Sequence, residues 1–516
     1  MKKQLPVLLL FVLAITTATS YAQVKTDYQL AGDSLFKNKD YQGAIDNYTK
    51  AIDNSKNDKI KLALLLNKRS LVKLTNKQYT EVIKDESEAI LANPHFGFAY
   101  WNRGVGYNGV GEYQHAIDDY TTAMLYLKDN KRSLAVLYDN RGSSKRKLHQ
   151  IKEAIEDFTQ SIQLNSQKGG TYWNRGLAYD NIGEHQLAID DYTTAMFYYQ
   201  EDTEDLATLY GNRGVNKRAL RQYTSAINDF NTAAKLNPKR RQTYWDRGLT
   251  YQYNGDAQLA VNDFNTAIPY YGDNKTDQAN LYNLIAINEM SQYQTQKALA
   301  DVNKAIELNA QNGYYFWIRG GIYSQTGKSE WAIDDYTKTM SFYKDNKEIQ
   351  VLLHDEIATN LYILKRDQKV IDECTAAIAL NPNYANPYFT RGKVYLKRII
   401  NKQQAFKDFN KVIELDTSKS TVSYIFSQLY IGNSDLAMQK LQEQVLKTVN
   451  ASAVLTHYYN IACMFSIMNK PDEANTYLKK AIESGYPKEF AANDEDFDNI
   501  RKTPDYITLM AESGSK

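Results

Sequence analysis

The segment Tyr100-Trp101-Asn102-Arg103-Gly104 returns as Tyr172-Trp173-Asn174-Arg175-Gly176 and again, with one change, as Tyr244-Trp245-Asp246-Arg247-Gly248. With its small residue taken as an anchor, the phase extends in both directions through Gly32, Ser70, Gly104, Gly142, Gly176, Gly214, Gly248, Ala286, Gly320, Ala358 and Gly392. Successive spacings alternate between 38 and 34 residues, so two motifs make one 72-residue unit. A fixed period of this size marks an array of stacked supersecondary units, each too small to bury its apolar face alone.

Twelve residues after most anchors stands another small residue, such as Ala44, Ala116, Ala188 or Ala260, and four further on a bulky one, such as Tyr48, Tyr120, Phe158 or Tyr192. An aromatic such as Tyr100, Tyr138 or Tyr172 lies four before the anchor, one helical turn away on the same face. Each motif therefore reads as two short helices whose backbones approach at the small residues. Gly111, Gly183, Gly255 and Gly327, seven after alternate anchors, end first helices. Asn93-Pro94, Leu236-Asn237-Pro238 and Leu380-Asn381-Pro382 end second ones. The four extra residues of the alternate motifs fall near Lys128–Arg132, Glu201–Asp205 and Asp345–Glu348, and one added turn keeps the facing register.

This pattern of aromatic, Gly, Tyr, Ala, Phe/Tyr, Ala and Pro resembles the tetratricopeptide repeat family from about Asp27 to Tyr486. The resemblance implies an all-α, right-handed superhelical solenoid of about 12 to 13 helical hairpins. The expected organisation is 23–415 as paired 38/34-residue motifs, 416–486 as degenerate and terminal motifs, and 487–516 as a C-terminal cap and tail. Ile425–Leu441 is a short copy, and Gln404-Ala405 needs one inserted residue to stay in phase.

Family members usually place leucine before the anchor and an apolar residue fifteen after it. Here Arg69, Arg103, Arg141, Arg175, Arg213, Arg247 and Arg319 hold the first place and Asp85, Asp119, Asp157, Asp191, Asp229, Asp263 and Asp335 the second. Arg391 and Asp408 match once the insertion is counted, and Ile285 with Asp301 is an exception. Because each arginine has its own aspartate at fixed spacing, a cross-helix ion pair is expected rather than an anion-binding row.

Trp101, Trp173, Trp245, Trp317 and Phe389 recur every 72 residues. The row is either a ladder of platforms for a peptide or glycan, or core against the neighbouring motif. Asn102, Asn140, Asn174 and Asn212 point roughly opposite the anchor and offer hydrogen bonds to a partner or to water. The lysines with which some family members clamp a terminal carboxylate have no counterparts here.

Lys and Arg number 62 against 60 Asp and Glu, and residues 1–22, with Lys2 and Lys3 and no acid, account for the difference. Such balance lacks the basic excess of a nucleic-acid binder. Met1–Ala22 combines two lysines, an apolar run over Leu5–Ala18 and small residues at Ser20 and Ala22, the layout of a signal peptide cleaved before Gln23. The run is shorter than the ~20 residues of a membrane span, no later stretch reaches that length, and no cysteine follows it to accept lipid. A periplasmic or secreted product is expected.

The only cysteines, Cys374 and Cys463, read as buried thiols. Gly104–Gly109 spells a dinucleotide fingerprint but falls inside a helix by repeat phase, and Asp494, Asp496 and Asp498 lack a calcium loop's glycine at Asn499. The six histidines have no ligand spacing. No catalytic residue, metal or cofactor is assigned. The expected function is an exported scaffold that binds a protein or peptide, with envelope polysaccharide bound by the tryptophan row as the alternative.

Overall fold

The 72-residue period appears directly in helix lengths. In the computed structural model, which describes residues 27–447, 451–486 and 488–511, the helices Lys59–Thr75, Lys131–Lys147, Thr203–Ala219, Lys275–Ser291 and Lys347–Ile363 each have 17 residues. Between them in phase stand Gly97–Val110, Gly169–Asn181, Arg241–Asn254, Gly313–Gln325 and Ala385–Lys397, with 13 or 14. The expected leader and its cleavage site lie outside the described residues.

Local chemistry explains the alternation. Each long helix is capped by a residue that itself recurs every 72 positions: Asp58, Asn130, Asp202, Asn274 and Asn346 accept the N–H three residues on, at 3.0–3.2 Å. Such caps satisfy one orphan donor of the first turn. The short helices are entered through Asn93, Asn165, Asn237, Asn309 and Asn381, whose Oδ1 accepts the N–H two residues on and folds the connection into a tight turn.

The chain packs as two units, one ending at Asn254 and the other beginning at Gly255. Unit 1 stacks six antiparallel hairpins, from Asp27–Lys37 with Tyr41–Asp53 to Thr203–Ala219 with Tyr223–Leu236, and ends in Arg241–Asn254. Unit 2 opens with Ala257–Ala267 and stacks six more, from Lys275–Ser291 with Thr295–Leu308 to Ala451–Ile467 with Pro471–Glu483. The short copy is a hairpin whose first helix, Val422–Tyr430, has nine residues. Among the described residues there is no strand, and no helix is long and apolar enough to cross a membrane. The fold is an all-α helical-repeat solenoid.

Inside each hairpin the anchor glycine lies against the ring sixteen residues later. A Cβ on Gly104 would stand 2.7 Å from the Tyr120 ring, and one on Gly176 2.8 Å from Tyr192, with the same crowding at Gly142/Phe158 and Gly320/Tyr336. Where the anchor has a side chain, as at Ser70, Ala286 and Ala358, the facing residue is not aromatic: Glu86, Val302 and Cys374. A larger anchor is thus met by a smaller facing side chain, as a close-packed interior requires.

The turn after each first helix needs a left-handed residue seven past the anchor. Glycine supplies it at Gly111, Gly183, Gly255 and Gly327. Elsewhere Lys39, Lys77, His149, Arg221, Tyr293 and Lys365 adopt φ between 56° and 64° despite their side chains. The inserted residue displaces this position by one, to Ile400.

Candidate functional site: the first-helix faces

The arginine row is consumed by structure. Arg69, Arg103, Arg141, Arg175, Arg213, Arg319 and Arg391 each donate Nε and Nη2 to the two carboxylate oxygens of Asp85, Asp119, Asp157, Asp191, Asp229, Asp335 and Asp408, at 2.7–3.0 Å. Arg247 belongs to unit 1 and Asp263 to unit 2. Nη1 turns the other way and donates to the second helix of the preceding hairpin: Arg103 to Ser87, Arg175 to Thr159, Arg213 to Thr193, Arg247 to Asn231 and Arg319 to Asn303. The guanidinium also lies over the aromatic three residues before it, 5.6 Å from Tyr100 for Arg103 and 5.8 Å from Tyr172 for Arg175. One side chain thus closes its own hairpin and ties it to the previous one.

Burial pushes the Asp119 and Asp191 carboxyls above the usual range even with the arginine attached, while the hydrogen bonds it donates to Asp119 hold the Arg103 guanidinium higher. In the long-helix motifs Lys73, Lys145 and Lys217 add a second cation to the same aspartates at 2.8–2.9 Å. Beside Asp301, Ile285 and Glu289 replace both cations, and burial together with the adjacent Asp301 pushes Glu289 up to about 7.

The tryptophan row does not stand free. Trp101 is 3% exposed, stacked at 6.1 Å on Phe98 and packed with Ala116, Tyr120 and Leu137. Trp173 is half-buried, edge-on to Tyr199 at 5.6 Å and clustered with Tyr192 and Leu209. Trp317 packs with Tyr336 and Leu353, Phe389 lies 6.1 Å from Phe409, and Trp245 is half-buried. Leu137, Leu209 and Leu353 come from the following hairpin, which closes over the position rotated from the anchor face.

The asparagines also need correction as an exposed set. Asn102 is 5% exposed and donates to Glu86 at 3.1 Å, Asn174 donates to Asp139 at 3.3 Å, and Asn140 and Asn212 are half-buried. The neighbouring hairpin shields a side of each helix that a single-helix projection assigns to water.

Several buried polar groups escape the repeat pattern. Glu86 is fully buried, accepts from Asn67, Ser70 and Asn102, and is pushed by burial up to about 8. Asp139 is paired with Lys168, and Asp246 with Arg218 at 3.4 Å.

In unit 2 the chain covers its own first helices. After Lys488–Asn493, the turn Glu495–Phe497 lies across them: Glu495 accepts from Tyr362 and Arg398 at 2.9 Å. Asp496 accepts from Lys397 and, at 2.9 Å, from Tyr430, with Lys393 3.6 Å away. Asp494 accepts from Tyr459 at 2.8 Å, and Phe497 is fully buried beside that ring. Burial alone would raise the Asp496 carboxyl, but the two lysines hold it low. Cys463, Asp494 and Asp496 approach one another, with Asp496 matched by ammonium groups and Asp498 paired with Arg501. Cys374 and Cys463 are buried free thiols.

These features define a helical-repeat scaffold whose polar first-helix faces are its candidate binding surfaces. A sequence model of the tetratricopeptide repeat matches residues 170–196, 207–240 and 457–484. The chain is similar to the DnaJ homolog subfamily C member 7 homolog of Dictyostelium discoideum, 22% identical over 388 residues, which cover 75% of this chain and 61% of that one. Tetratricopeptide repeat protein 6 of Homo sapiens is 25% identical over 314 residues, covering 52% and 57%. The chain spans about three fifths of the length of these curated relatives. Among solved structures, the C-terminal part of a TPR repeat-containing protein from Cytophaga hutchinsonii aligns with a TM-score of 0.42 at 18% identity, covering 48% of this chain and 97% of that one. Over the matched residues the chain carries tetratricopeptide repeats.

Proposed function

We propose that this protein is an exported, non-catalytic scaffold that holds an extended segment of another protein on the first-helix faces of its hairpins. The observation that carries this reading is in unit 2, where such a face already accommodates a stretch of polypeptide through lysine, arginine and tyrosine side chains contributed by successive first helices. Helical repeats suit this role because neighbour stacking leaves a continuous surface to which each motif adds a few side chains. Fold alone does not determine function, so the reading rests on that surface. Export rests on the composition of Met1–Ala22, and N-terminal sequencing of the processed chain should begin at Gln23.

Pull-down from envelope extracts should recover a protein with the wild-type chain and lose it with Asn174→Arg combined with Asn212→Arg. Equal recovery by the variant would contradict the assignment of the face. The polysaccharide alternative is weakened by the burial of Trp101. It would require soluble envelope polysaccharide to quench tryptophan fluorescence.

A further inference from the structure

The 72-residue register sets a residue on each long first helix against one at the entrance of the short first helix that follows. In unit 1 Asp139 is paired in this way with Lys168, and in unit 2 Asp355 accepts from Tyr384 at 3.0 Å. At residues 211 and 240 the cation is kept and the carboxylate is gone. Gly211 stands where Asp139 does, and Arg240 lies over it, so close that a Cβ on the glycine would be 3.0 Å from Nη1. Arg240 is half-buried and makes no ion pair among the described residues. Its Nη1 donates to Thr243 at 3.2 Å, while Nε and Nη2 have no hydrogen bond there and reach solvent. Asp246, the carboxylate within electrostatic reach, is 8% exposed and already accepts from Arg218 at 3.4 Å and from Gln242 at 3.1 Å. Burial lowers the pKa of the Arg240 guanidinium, the direction of a cation that has lost water without gaining an anion. The helix Arg241–Asn254 begins at the next residue, and its positive end adds to the field at the same place.

A guanidinium partly stripped of water and left without its carboxylate carries a cost that an incoming one would offset with charge-assisted hydrogen bonds. We propose that Arg240 docks an acidic side chain of an extended partner segment, which takes the role that the Asp139 carboxylate fills one 72-residue unit earlier. The nitrogens open to solvent, Nε and Nη2, are the same two with which Arg103 holds both oxygens of Asp119. In unit 2 the chain's own tail shows such an occupant, where Arg398 donates from Nε to Glu495 at 2.9 Å. The inference rests on the docking function proposed above and adds the class of side chain recognised and the residue that reads it.

The probes are fluorescein-labelled hexaglutamate and hexaglutamine, titrated into the full chain. Hexaglutamate should bind and weaken with salt, hexaglutamine should not bind, and Arg240→Gln should lower the affinity about tenfold, a loss of roughly 1.4 kcal/mol. Lys239→Gln, which removes an exposed cation next to it, should change the affinity less than about twofold. Gly211→Asp supplies the missing carboxylate from within the chain. It should lower hexaglutamate affinity as Arg240→Gln does and melt at a higher temperature than Gly211→Asn, and the same melts establish that each variant folds. Equal binding of the two peptides, no binding of hexaglutamate, an affinity indifferent to Arg240→Gln, or an equal loss with Lys239→Gln overturns the proposal. So does a Gly211→Asp chain that melts no higher than Gly211→Asn. A protein recovered by pull-down that is lost with the Asn174/Asn212 variant but kept with Arg240→Gln would end the acidic-segment inference and leave the docking reading standing. Retention by both would end both.

Discussion

At the scale of single residues, the most exacting contact is the anchor glycine against its ring. Gly176→Ala would place a methyl 2.8 Å from Tyr192, and overpacking of this kind costs about 1–3 kcal/mol. Denaturant unfolding should show that loss and show part of it restored by adding Tyr192→Val, the combination the chain itself uses at Ala286 and Val302. Glu86 makes the complementary case. Its folded-state pKa of about 8 lies above the ordinary 4.5, so the native state keeps a proton that the unfolded chain releases between those values. Stability is therefore lost as pH rises from about 4.5 to about 8. Glu86→Gln should remove this dependence and stabilise unit 1 more at pH 8 than at pH 5, measured by melts at both. The arginine–aspartate pairs were legible because each arginine at that place has an aspartate at the same spacing. The polar cluster around Glu86 was not, because its donors Asn67, Ser70 and Asn102 come from two helices, and Ser70 and Glu86 stand where most motifs carry a glycine and an aromatic ring. The burial of Asn102 was equally hidden, and that of Trp101 stood as one of two readings, since a helical projection does not show which side the next hairpin covers.

At the scale of elements, the hairpin is closed by a left-handed turn and a bidentate ion pair. Arg221 and Tyr293 adopt the turn conformation at φ 59° and 58° without glycine's freedom. Arg221→Gly and Tyr293→Gly should each stabilise the protein by about 1 kcal/mol, seen as a raised Tm. The sequence revealed this turn only in the motifs that carry glycine, because Lys, His, Arg and Tyr leave no mark of a positive φ. The 38/34 alternation did foretell a lengthened helix, and the polar runs at its start contain the caps Asn130, Asp202 and Asn346. For the ion pair, Arg175→Leu strands a buried carboxylate and should cost about 3–5 kcal/mol, whereas Arg175→Leu with Asp191→Leu should cost less, because two apolar groups leave no orphaned charge. A double variant as damaging as the single one would remove the ion pair from the account.

At the scale of the whole molecule, stability is a sum of hairpins and the joints between neighbours, with few contacts that skip along the chain. The fold was legible at this scale because an exact phase over many copies leaves one architecture open, and the division of packing at Asn254 was not, because the phase runs through it without change. Local joints mean local consequences. Arg175 binds Asp191 in its own hairpin and Thr159 in the preceding one, so its loss should loosen those two hairpins before any other. Hydrogen–deuterium exchange of Arg175→Leu under native conditions tests this most directly. Protection should fall in Lys131–Leu164 and Gly169–Met196 and stay at the wild-type level in Asp27–Asp53, whereas an equal fall across unit 1, or no change at the two hairpins, would contradict a fold held together joint by joint.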